Sequence, residues 1–213
     1  MLDAAAGKIS RYEALFQRHA SAIGWDWRLL AAQCYQESAF DPDAVSWAGA
    51  QGLMQIMPGT ASLLGVTEDI FDPETNIETA VRYLQKLNRT FADVGPQSSR
   101  IPFILAAYNG GASHVRDAMA LAKKNGHNEN VWREVEPYIL LLSEPRYYRD
   151  PVVKSGYLRG SETHDYVRNI MERWAQYRGQ ARNFSKANTP APSKNPQHPT
   201  QIRRPDFLIS DSI

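Results

Sequence analysis

Apolar residues spaced three or four apart recur through most of this chain, and that spacing constrains the fold more than any other feature. It runs through "ISRYEALFQRHASAI", "WRLLAAQCYQESAF", "NIETAVRYLQKLNRTFADV", "IPFILAAYN", "ASHVRDAMALAKK" and "HDYVRNIMERWAQYR". One face of a helix collects such positions, whereas a half-buried strand alternates, and no stretch alternates cleanly. The punctuation agrees. Asp26 can cap the second helix, Asp72 with Pro73 can open another, and Gly65, Gly95 and Gly126 follow helix ends. The expected fold is all-α, with about seven to nine helices.

At 213 residues the chain can bury one sizeable core. That domain is expected over 1–182. From 183 to 213 the sequence turns to "NFSKANTPAPSKNPQHPTQIRRPD", rich in Pro, Asn, Ser and Lys, which buries too little to offset its ordering entropy. It reads as a flexible tail, with "FLIS" as a docking peptide or simply a terminus.

The balance of 24 basic against 23 acidic residues, net +1, excludes a strongly charged partner such as nucleic acid. Cys34 is the one cysteine and sits in an apolar helical pattern, so it reads as a small buried hydrophobe. The N-terminal "MLDAAAGKISRYEALF" is neither a signal peptide nor a membrane span, so an export signal is expected outside this chain. His19, His114, His127, His164 and His198 lack metal-ligand spacing, and neither metal nor cofactor is expected.

One polar group stands out at the end of an apolar helix, in "QCYQESAF". At about 100° per residue, Trp27, Leu30, Ala31, Cys34 and Ser38 form a stripe and Glu37 falls at its edge. Asp41-Pro42 should stop the helix near Ser38 to Phe40, placing Glu37 in the last turn. Partial burial and the negative end of the helix dipole both favour the protonated carboxyl, so a raised pKa is expected, as suits a general acid. The ordinary alternative is a solvated or ion-paired helix-end glutamate.

Next comes "GAQGLMQIMPGT", three glycines, a proline and two glutamines around apolar residues. Glycine belongs where φ is positive or where something approaches the backbone closely. Gln51 and Gln55 could hydrogen-bond a ligand, and Met54 and Met57 offer apolar contact or core packing; for Met57 core packing is the expectation.

Together, "ES.F.P.A.S..GA.GLMQIMP.TA" (37–61), "AAYNGG" (106–111) and "ETHDYV" (162–167) resemble, in order, the motifs of the soluble lytic transglycosylase family, glycoside hydrolase family 23. "PYILLLSEPRYY" and "GYLRG" look most like the catalytic domain of its membrane-bound F branch. The resemblance implies a lysozyme-like α fold and a carbon-oxygen lyase that cleaves the MurNAc-β-1,4-GlcNAc bond of peptidoglycan strands, leaving 1,6-anhydro-MurNAc. It implies a periplasmic or outer-membrane-associated full-length protein, here expected to be monomeric. By motif position it makes Glu37 the catalytic acid and base. Ser46, Met54, Gln55, Tyr108, Asn109 and Tyr166 become substrate-binding residues, with Ser38 and Glu162 in support. A calcium loop, which one relative carries, fails here because Gly52 stands where "DPDAVSWAGAQG" needs its closing glutamate.

Most glycosidases pair two carboxylates. Asp41, Asp43, Glu68, Asp69 and Glu74 lie beside turns or prolines and read as caps or loop charges. A one-carboxylate site borrows its second group from the substrate: the MurNAc N-acetyl oxygen attacks its own anomeric carbon. Ser46 and Asn109 would orient that group, and Tyr108 or Tyr166 would bond Glu37. The competing readings are a hydrolytic muramidase of goose-type lysozyme character and a catalytically silent wall-binding domain. Trp47, Trp132, Tyr147, Tyr148 and Tyr157 read equally as groove or core.

Overall fold

A computed structural model describes residues 9–179, all of them helix or connecting loop apart from isolated bridges at Val45, Gln51 and Ile56. The expected tail lies outside the described residues. Among those described there are nine α-helices: α1 Glu13–Ala20, α2 Trp27–Ser38, α3 Pro58–Leu63, α4 Pro73–Thr90, α5 Gln97–Gly110, α6 Ala112–Lys124, α7 Trp132–Leu141, α8 Pro145–Tyr148 and α9 Gly160–Tyr177. The all-α expectation holds. Three helices have no counterpart among the periodic stretches: α3 and α8 are too short to show a period, and Pro137 inside α7 reads as a breaker.

Helix α2 is the element that places the candidate acid. Asp26 caps it by accepting the Arg28 N–H at 3.0 Å. Its end is abrupt: Ala39 and Phe40 both turn left-handed, φ 53° and 68°. Residues 29–34 are buried all round, a wider face than one stripe, because α1 and α9 flank the helix. Each buried leucine there contributes about 2 kcal/mol.

Helix α9 runs antiparallel to α2, tied at both ends. Trp174 Nε1 donates to Asp26 Oδ2 at 3.1 Å near the start of α2, and the Tyr166 hydroxyl reaches Glu37 near its end. The register between the two helices thereby sets a phenol against the carboxyl. Helix α4 starts as its sequence suggests, with Asp72 accepting the Thr75 N–H at 2.9 Å, and buries Ile77, Ala80, Val81, Leu84 and Leu87. Helix α5 is buried from Phe103 to Ala107, and its C-terminal residues meet the first turn of α9.

Candidate active site

Glu37 lies half-buried in the last turn of α2, as its spacing predicts. The Tyr166 hydroxyl donates to its Oε1 at 2.5 Å and accepts from Gln33 Nε2 at 3.2 Å. Burial first, then the neighbouring Glu37 charge, pushes the Tyr166 hydroxyl well above the ordinary phenol range. It is therefore a proton-bearing donor throughout the working pH range.

Tyr108 is brought to the same place by α5, and the same two causes, burial before Glu37, keep its hydroxyl protonated. The expectation left Tyr108 and Tyr166 both open as the partner of Glu37. The Tyr108 hydroxyl donates to the Met54 carbonyl at 2.8 Å, so Tyr166 is the phenol that bonds Glu37 while Tyr108 anchors the loop between α2 and α3.

That loop is pressed against protein. Asn76, fully buried on α4, accepts the Met54 N–H at 2.7 Å and donates to the carbonyls of Gln51 at 3.0 Å and Ile70 at 2.7 Å. Gly52, at φ 73°, lies so close that a Cβ there would stand 2.3 Å from Asn76 Nδ2. Ser38 closes the other side, its hydroxyl donating to the Leu53 carbonyl at 2.8 Å. The glycine is thus required by a side chain of the fold.

The two methionines differ from expectation in their burial. Met54 is fully buried and its side chain belongs to the core, contrary to a sugar-contacting role, while Met57 is the half-exposed one. Gln55 is buried too, and its Nε2 donates to the carbonyls of Ala44 at 3.1 Å and Gly52 at 3.0 Å, which braces the loop. Ser46 Oγ accepts the Ala50 N–H at 2.9 Å, which leaves its proton to donate.

Asn109 Oδ1 accepts from the Thr163 hydroxyl at 2.8 Å, which fixes the amide so that its Nδ2 faces away from Thr163. Gly110 permits that approach, since a Cβ there would come within 2.6 Å of the Thr163 hydroxyl. Glu162 pairs with Arg159 at 2.9 Å. Four of the five neighbouring acids are likewise accounted for: Asp41, Glu68 and Asp69 accept N–H groups of their own turns, and Glu74 pairs with Arg18. Of the aromatics, Trp47 and Tyr157 are exposed, Trp132 packs edge-on against Phe103, and Tyr148 packs against Tyr157.

Gln33, Asn76 and Thr163 were missed by sequence reasoning. A buried amide within an apolar stripe is the one signal that marks Gln33; for the others the partner is too far along the chain to show in any local pattern.

The family model for the transglycosylase SLT domain matches residues 14–131. The chain belongs to that family. Its resemblance extends to the membrane-bound lytic murein transglycosylase F of Yersinia enterocolitica, 44% identical over 169 residues that make up 79% of this chain and 34% of that protein. Among solved structures it is similar to a 70-kDa soluble lytic transglycosylase in complex with bulgecin A, with TM-score 0.56 and 29% identity over 79% of this chain and 24% of the other. It is also similar to an inactive glutamate-to-glutamine variant of the lytic transglycosylase Slt from Pseudomonas aeruginosa, with TM-score 0.52 and 26% identity over 80% and 25%. The expected lysozyme-like α fold is the fold of these SLT neighbours. The chain spans about a third of the length of the curated relatives it matches. Helix α9 lies beyond the SLT match.

Proposed function

We propose that this SLT domain is a lytic transglycosylase that cleaves the MurNAc-β-1,4-GlcNAc bond of peptidoglycan without water, leaving a 1,6-anhydro-MurNAc end. The observation that carries the reading is a half-buried helix-end glutamate, Glu37, held by a buried tyrosine donor in a chain of this family. The names of the relatives, lytic murein transglycosylases, support it.

The chemistry needs one carboxyl that is first acid and then base. A half-buried place at the carbonyl end of α2 favours the neutral form, and the Tyr166 O–H favours the carboxylate, so neither state is prohibitive. Protonated Glu37 gives its proton to the GlcNAc O4 as the C1–O4 bond breaks, and the MurNAc N-acetyl oxygen closes onto C1. The Glu37 carboxylate then takes the C6 hydroxyl proton while O6 attacks C1 and displaces the N-acetyl oxygen. Atoms balance with no water consumed, and the acid is regenerated.

The Asn109 amide and the Ser46 hydroxyl are the donors proposed for the N-acetyl group. Exposed Trp47 and Tyr157 offer faces for sugar stacking. Gln55 and Met54 shape the site through the loop backbone. In this reading the protein acts at the cell wall, in the periplasm or on the outer membrane, as a monomer on glycan strands; the membrane-bound names of its relatives support the location.

Glu37→Gln tests the assignment. The purified variant should release no muropeptides from sacculi while keeping the wild-type circular dichroism and melting temperature; retained cleavage would remove Glu37 from its role.

A further inference from the structure

Gln33 stands one turn before Glu37 on the same face of α2 and is fully buried. Its Nε2 donates to the Tyr166 oxygen at 3.2 Å, and that hydroxyl donates to Glu37 Oε1 at 2.5 Å. The other end of the amide, Oε1, is buried with no hydrogen-bond partner among the described residues. An unsatisfied buried acceptor is a cost, and a methionine of similar volume would remove it. Among the described contacts, only the donation to Tyr166 offsets that cost.

We propose that Gln33 is a positioning residue for the acid–base step, aiming the Tyr166 hydroxyl proton at Glu37. The proposal rests on the lytic transglycosylase reading above. A phenol oxygen offers one proton and two lone pairs. With the Gln33 N–H in one direction, the hydroxyl proton is turned to the other, where Glu37 lies. The same N–H polarises the O–H and strengthens it as a donor. The tyrosine therefore supports the carboxylate most strongly after Glu37 has given up its proton, when it must become the base.

The titratable groups facing this trio are Cys34 from α2 and Tyr108 from α5, with Tyr83 from α4 against Tyr108. Burial holds each of them protonated, and the proposal takes the alkaline limb of activity as the loss of the Glu37 acid form. Without the Gln33 donor the carboxylate is less supported and Glu37 keeps its proton to higher pH. The limb moves up while the base step slows.

The test is a cycle of Gln33→Met, Tyr166→Phe and the double variant in the full chain. It reads pH profiles of kcat and kcat/KM on soluble glycan strands together with melting temperatures. Gln33→Met should melt no lower than wild type, lose about fivefold in kcat with KM nearly unchanged, and move the alkaline limb up by roughly half a pH unit. In the Tyr166→Phe background the same substitution should change neither kcat nor the limb. An unchanged profile in the single variant, or an equal effect with and without the tyrosine hydroxyl, overturns the proposal. If Gln33→Met melts lower, Gln33→Asn, which keeps an amide too short to reach Tyr166, must show the same shift, or the proposal fails. Absence of anhydro product from wild type would instead overturn the functional reading.

Discussion

At the scale of single residues, the candidate site depends on which hydroxyl reaches which oxygen. Tyr166→Phe removes the donor on Glu37 Oε1 and should lower kcat about tenfold or more, roughly 1.4 kcal/mol of barrier, with a lower melting temperature because the buried Gln33 Nε2 also loses its acceptor. Thr163→Val keeps the shape but frees the Asn109 amide to rotate, and should lower kcat/KM about fivefold in the same assay. No loss in either variant would separate these hydrogen bonds from catalysis. The place of Glu37 at the edge of an apolar stripe was legible as a local pattern, but that pattern alone fits an ordinary helix-end glutamate, and its expected role came from the motifs that follow it. The choice between Tyr108 and Tyr166 was not legible, because it depends on the register of α9 against α2, which pairs residues more than a hundred positions apart.

At the scale of elements, the loop after α2 is a rigid piece, sewn to three helices by Ser38, Asn76 and Tyr108. Asn76→Ala removes three buried hydrogen bonds to backbone and leaves their partners unsatisfied, so it should cost about 2–4 kcal/mol in urea denaturation. A cost below about 1 kcal/mol would show that the loop is held elsewhere. The glycines and proline announced a tight loop because backbone geometry is written locally. What they press against was hidden, since Asn76 looks like any polar residue in the opening turn of α4. Caps were legible for the same local reason, and Asp26 and Asp72 both sit where they were expected.

At the scale of the whole molecule, the antiparallel α2 and α9 pair links the site to acid stability. Burial acts to raise the Asp26 carboxyl, but the Arg28 N–H, the Trp174 indole and the Arg28 charge outweigh it and hold it below the usual range. A depressed folded value means the stabilisation is complete above the unfolded value near pH ~3.9 and is lost as pH falls through the folded one. Asp26→Asn should therefore lower stability at neutral pH by about 1 kcal/mol and flatten its fall below pH ~4, measured by urea midpoints across pH. An unchanged acid slope would mean that other carboxylates dominate. The central claim concerns the product, and mass spectrometry of soluble fragments released from intact sacculi tests it most directly. A lone acid that turns base predicts muropeptides ending in 1,6-anhydro-MurNAc, one water lighter than their hydrolysed counterparts. Fragments bearing a free reducing MurNAc instead would contradict the account and make the chain a hydrolase.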